Sequence, residues 1–144
     1  MALATPQPTT EITALELVGD CISEAGYGTA SVDLFLTRDP GTTTAGLTTI
    51  VQEGDGLPAA TFGRPVAIEH TAVTIVVYGD PEDYTTPRAR ARTLRYLLAA
   101  QGDYVSRGVR MLAAVPRGGV LPLGRDALSR ELFSLTLDVA WEPA

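Results

Sequence analysis

Between Ser129 and Trp141 the chain alternates strictly. Phe133, Leu135, Leu137, Val139 and Trp141 are apolar, and Ser134, Thr136 and Asp138 occupy positions between them. Successive side chains of a pleated strand point to opposite faces, so this pattern predicts a half-buried β-strand. Fully burying one such side chain contributes roughly 1.5–3 kcal/mol, so the face supplies on the order of 10 kcal/mol before conformational entropy is subtracted. No other segment has so long a clean face, and the remaining elements are expected to pack on it. Ala72 to Tyr78 is the densest apolar run. With apolar residues on both faces, it reads as a central strand covered on both sides.

The other elements follow in chain order. Residues 1–8 form a Pro-containing lead, expected to be flexible. Thr9 or Thr10 would cap a first helix, with Glu11 in its first turn and Ile12, Leu15, Val18, Ile22 and Ala25 as its apolar stripe. Gly26 would end that helix in the left-handed conformation. Val32, Leu34 and Leu36 predict a short strand, broken at Asp39-Pro40-Gly41, and Leu47, Thr49 and Val51 predict another. Glu53-Gly54-Asp55-Gly56 closes that strand, and over the next dozen residues, through Pro58, Gly63 and Pro65 to Ile68, no periodicity is visible, which predicts a long loop. Thr86 as cap and Pro87 at the first position open a second helix, with Ala91, Leu94 and Leu98 as its buried stripe, Leu97 beside them and Gly102 as its end. Val109, Met111, Ala113 and Val115 mark the strand before the Gly- and Pro-rich stretch 116–126 and the closing strand. The expected fold is one α+β domain over residues 1–144: a mainly antiparallel sheet of about four to five strands with two helices packed on it.

Composition narrows the chemistry. The net charge of −6 and isoelectric point near 4.6 argue against a dedicated nucleic-acid binder, whose affinity rests on neutralising phosphates. Every basic residue is Arg, and Lys and Asn are absent, as a GC-rich genome would produce. Cys21 is the only cysteine and reads as a small packed hydrophobe; His70 is the only histidine and reads as a strand residue. No apolar run approaches membrane-spanning length and no signal pattern opens the chain, so no membrane partner is expected. Gly54-Asp55-Gly56 and Gly118-Gly119 lack the lysine and helix of a phosphate loop. Asp80, Glu82 and Asp83 read as a solvated turn ahead of a helix rather than a cation site. No enzyme signature is present; no catalysis, cofactor or metal is expected.

The arginines are more informative. Arg88, Arg92 and Arg95 share one face of the second helix. A solvated face is the plain reading. The sharper one is a seam that meets carboxylates of a neighbouring copy, for which the guanidinium fork is suited.

Three segments together carry a family resemblance. Residues 64–70 lead into Val73-Thr74-Ile75-Val76-Val77-Tyr78-Gly79; an Ala- and Leu-rich helix spans 90–100; and Leu123-Gly124-Arg125-Asp126 precedes Arg130-Glu131-Leu132-Phe133-Ser134-Leu135. This order resembles the tail terminator (tail completion, or minor capsid) proteins of long-tailed bacteriophages, whose final strand follows the pattern LGxDxxGRxEFSxN. Arg130, Phe133 and Ser134 match that frame. Ser129 stands where Gly is usual, and Leu135-Thr136 replaces the polar residue. The resemblance covers about the last 80 residues well and the first helix loosely. It implies a structural virion protein at the head-proximal end of the tail, assembled in the host cytoplasm. A ring of such copies, expected to be six, would cap the tail tube, end its polymerisation and meet a head-side connector. Genome DNA would pass through without specific binding. Arg88, Arg92, Arg95, Arg125, Asp126 and Arg130 are the expected subunit-interface residues. The alternative is another neck ring, a stopper or adaptor. A small-molecule-binding regulatory domain fits less well, for want of convergent polar groups in an apolar setting.

Overall fold

The computed structural model describes residues 12–30, 32–37, 46–54, 57–60 and 68–142. Thr9, Thr10, Glu11 and the 1–8 lead lie outside these residues. So do the breaker at 39–41 and most of the predicted loop between Gly56 and Ile68. In chain order the elements are α1 (Ala14–Glu24), β1 (Leu34–Leu36), β2 (Thr48–Glu53), β3 (Leu57–Ala60), β4 (Ile68–Tyr78), α2 (Thr85–Ala100), β5 (Tyr104–Ser106), β6 (Val109–Pro116), β7 (Leu121–Arg125) and β8 (Glu131–Glu142).

The α+β class stands, but the sheet is larger than expected and mixed. Eight strands take part: β1-β2-β4-β8-β6-β5 in spatial order, with β3 also on β4 and β7 also on β8. The β1–β2 pair is parallel and the others antiparallel. The strands absent from the sequence reading are β3, β5 and β7. Each is only three to five residues long, and β7 contains Pro122 and Gly124. Alternation needs more residues than that to be visible, and Pro is tolerated because β7 is an edge strand.

β4 and β8 form the axis of the sheet, paired without interruption from Glu69↔Trp141 to Tyr78↔Leu132. Each has two shorter strands in tandem along its other edge: β2 and β3 on β4, β7 and β6 on β8. Partners in register share a face, so Val73, Ile75 and Val77 stand beside Leu137, Leu135 and Phe133. All six are at most 2% exposed, under the two helices. The opposite face is only partly covered. Ala72 and Tyr78 are buried there, while Thr74 and Val76 are half-buried and the Thr74 and Thr136 hydroxyls bond across it at 3.1 Å. Full coverage of β4 on both sides, as its composition implied, is therefore not found.

The helix starts differ from the sequence reading, whereas Gly26 ends the first helix as expected. Thr13, rather than Thr9 or Thr10, precedes α1, and its backbone N–H and hydroxyl both donate to Glu16 Oε2, at 2.9 and 2.6 Å. At the other end Gly26 has φ +87°. Its amide donates to the Ser23 carbonyl and that of Tyr27 to Ile22, a Schellman closure that requires the left-handed residue. Ala25 is exposed, and the buried stripe widens instead to Leu17 and Cys21. Burial, with the Glu24 charge adding, pushes the Cys21 thiol up to about 11, which agrees with a packing role. α2 starts at Thr85, before the predicted cap Thr86, because Asp83 Oδ1 accepts the Thr86 amide at 3.2 Å. Pro87 thus lies in the first turn but not first, still where no helical hydrogen bond is lost. It is close to β4: a methyl group at Gly79 would meet Pro87 Cδ at 3.3 Å.

Leu135 is 2% exposed and paired with Ile75 under the helices. Leu135→Ala is expected to lower stability by roughly 2–5 kcal/mol in denaturant titration, because the surrounding β4 and α2 side chains collapse only partly into the space left.

Candidate assembly surface

Two surfaces hold the residues singled out from the sequence: the β7–β8 hairpin end, with Arg125, Asp126 and Arg130, and the outer face of α2, with Arg88, Arg92 and Arg95. The structure does not bring the two sets into one cluster.

At the hairpin end, Ala127, Leu128 and Ser129 form a three-residue loop closed by Asp126 and Arg130. The Asp126 amide donates to the Arg130 carbonyl at 3.0 Å and the Ser129 amide to the Asp126 carbonyl at 3.1 Å. Loops of this kind end in a left-handed residue, and Ser129 has φ +61°. A Gly at this position would adopt the same conformation without a Cβ penalty. The Asp126 carboxylate accepts from the Leu128 and Arg130 amides, at 2.9 and 3.0 Å, and from Arg130 Nε at 2.7 Å. Burial by itself raises the pKa of Asp126. The Arg130 guanidinium and the two amides outweigh that and hold it below the usual carboxylate value. Arg130, only 15% exposed, also stacks on the Tyr78 ring, with its guanidinium carbon 4.1 Å from the ring centroid. Arg125 pairs with Glu131 at 2.7 Å and more loosely with Glu82 at 3.4 Å. The Glu82 amide, in turn, donates to the Ser129 carbonyl at 3.0 Å, so the hairpin end is tied to the turn before α2. All three residues therefore work inside the chain. Arg125 is the most exposed of them and the one best placed to reach outward as well.

The outer face of α2 is different. Arg88 lies over the Tyr84 ring at 5.7 Å, and Arg92 makes no hydrogen bond or ion pair among the described residues. Arg95 Nε donates to the Gly118 carbonyl at 3.0 Å. Tyr84 is anchored by an edge-on contact with Phe133 at 5.2 Å, while Tyr96 is 74% exposed. Tyr84, Arg88, Arg92 and Tyr96 recur every four residues and form one row along the helix. The row lines a shallow depression of about 510 Å³. A second one, of about 190 Å³, lies between Arg92, Arg95, Tyr96 and the chain at Gly119 and Val120. The two tyrosines were not read from the sequence, although their spacing from the arginines was visible there. Arg90, on the inner flank, instead clamps α2 to the end of α1 by donating to the Tyr27 carbonyl at 2.8 Å.

A third feature is apolar and was not anticipated. β7 is exposed along its whole length, and Leu121, Leu123 and, at the hairpin tip, Leu128 all face solvent. His70 lies within β4 as a half-buried strand residue. Among the described residues no group of His, Cys, Asp and Glu is arranged to hold a metal ion, and no helix is long and apolar enough to cross a membrane.

No family model matches this sequence, and no curated protein does. A solved structure does match: a chain in the virion of a native gene transfer agent (GTA) particle shares the fold with a TM-score of 0.59 at 15% identity. The match covers 91% of this chain and 98% of that one.

Two measurements probe the hairpin end. Asp126→Asn is expected to cost about 1–2 kcal/mol near neutral pH, since charge-assisted bonds to Arg130 and two amides are weakened. Because the folded-state pKa is depressed, this contribution is complete above the unfolded value near 4 and lost as pH falls through the folded one; the wild-type and variant stability curves should therefore converge in acid. At Ser129, a Gly substitution should leave stability equal or slightly higher. Val there should lower it by about 1–2 kcal/mol, because a β-branched residue strains at positive φ.

Proposed function

We propose that this protein is a structural component of a phage-like virion and acts there as a tail terminator. Copies of the chain, six in our reading, form a ring at the head-proximal end of the tail. The ring caps the tube, ends its polymerisation and joins it to the head-side connector, while genome DNA passes through without specific binding. The observation that carries this reading is the shared fold with a virion chain over nearly the full length of both. The terminator-like frame at residues 123–134 supports the finer assignment.

The described surface has what a ring subunit needs. Among the described residues β5 and β7 each pair on one side only, so they offer backbone groups to a neighbouring chain, and closure of a ring satisfies such edges without open-ended growth. Leu121, Leu123 and Leu128 are apolar contact area at one of those edges. The interface set expected from the sequence (Arg88, Arg92, Arg95, Arg125, Asp126 and Arg130) divides on this reading. The α2 arginines make the contact, while Asp126 and Arg130 hold the hairpin in shape beside it.

Particles assembled without the protein should carry tails of uncontrolled length that fail to join heads, scored by electron microscopy of negatively stained lysates. Tails of normal length left unattached to heads would favour the neck-ring alternative. Normal tails on normal heads would remove the virion role altogether.

A further inference from the structure

We propose that the outer face of α2 docks the acidic body of a second copy of this chain, whose carboxylates seat on Arg88, Arg92 and Arg95 between Tyr84 and Tyr96. The inference deepens the ring reading and rests on it for the requirement that the contact be made between unlike surfaces.

The charge of the chain is sharply divided. Thr85–Ala100 contains four arginines and no acidic residue. Of the 11 basic residues that leaves seven elsewhere, against all 17 acidic ones, so the rest of the chain carries a surplus of ten negative charges. The ion pairs follow the same division. Each described arginine outside α2 has a carboxylate: Arg107 with Asp20, Arg110 with Asp103, Arg117 with Asp138, Arg125 with Glu131 and Arg130 with Asp126. None of the four on α2 has one among the described residues. Acid is plentiful in this chain, and Asp83 even caps the start of α2, yet no carboxylate among the described residues pairs with an arginine of this helix.

The geometry suits carboxylates. Arg95 is held through Nε by the Gly118 carbonyl, which fixes the plane of its guanidinium and leaves its terminal nitrogens without a partner among the described residues. Arg92 borders both depressions and stands next to it on the same face. Two guanidinium groups at the rim of a 190 Å³ hollow make a socket of side-chain size, with the Tyr96 ring as its apolar wall. Tyr and Arg are both among the side chains enriched where protein surfaces meet.

Charge complementarity selects the occupant. A DNA duplex brought to α2 would also approach a body with ten surplus negative charges, which repels phosphate. A second copy presents that same acid to the helix, and attraction replaces repulsion. A basic helix face that meets the acidic remainder of another copy makes a heterologous contact, the kind that closes into rings.

The test is sedimentation velocity on the purified full chain. At about 50 mM salt, where the screening length is about 14 Å, wild type should self-associate as its concentration is raised, and about 0.5 M salt should reverse this. Arg88→Gln with Arg92→Gln should weaken association roughly tenfold. Neither side chain bonds to another described residue except through the Tyr84 ring, so the thermal midpoint should not move. Arg110→Gln with Arg117→Gln removes the same charge from the sheet side and should change association by less than about twofold. A wild type that stays monomeric up to about 100 μM at low salt would overturn the proposal, since a contact that weak is not specific docking. So would association undiminished in the α2 variant, or loss in that variant of binding to a short DNA duplex alone, which would assign the face to phosphates. None of these results bears on tail length, and a negative tail-length experiment leaves association in solution as measured, so the two readings fail separately.

Discussion

The β4–β8 ladder is the constraint on which the rest of this structure depends. Its ten consecutive pairs set which side chains share a face, and a slip of β8 by one residue would turn Leu135 away from the helices while Ile75 still faced them. Both strands are long enough to carry two shorter strands each along the outer edge. The tandem arrangement of β7 and β6 on β8 puts the exposed leucines of β7 at one end of the sheet. Over the other part, Met111 and Ala114 of β6 join the core, with a bulge between them that brings both inward. A buried bond from Trp141 Nε1 to Thr71 Oγ1, at 3.1 Å, crosses the same ladder and leaves the indole satisfied beneath the helices.

Charge is laid over this framework in a way the fold itself does not need. The sheet side neutralises its arginines within the chain, through exposed pairs that add little stability individually. α2 buries Ala91, Leu94 and Leu98 on one side and leaves Arg88, Arg92 and Arg95 on the other without a carboxylate among the described residues. Nothing in the packing of that helix calls for Arg at 88 or 92, and other long polar residues would serve an exposed helix face equally well. Four positive charges without a carboxylate partner among the described residues repel one another, and an acidic surface brought against them would offset that repulsion.

The hairpin end shows how a short motif and a backbone constraint meet. The terminator-like frame is a list of residue types until the loop is seen. Asp126 then proves to be the acceptor that closes the loop, Arg130 the donor that meets it, and position 129 the left-handed residue that the loop type demands.

How much was legible in the sequence depended on the range of the interactions involved. The two helices, the buried face of β8 and the central place of Ala72–Tyr78 were all readable. Each is set by a local period, 3.6 or 2 residues, repeated often enough to stand out. The row of arginines on α2 was readable for the same reason, and the tyrosines of that row could have been. Strands β3, β5 and β7 were not, because three to five residues carry no period and become strands only when β4, β6 or β8 offers a ladder. The parallel pairing of β1 with β2 and the second row of strands along the sheet were equally out of reach. So was the division among the expected interface residues. Arg125, Asp126 and Arg130 look as free as Arg88 and Arg92 in one dimension, and only folding brings Glu131, Glu82 and the Tyr78 ring to them. Periodicity is a local property of the chain, whereas a partner for a charge is a matter of which distant segments meet.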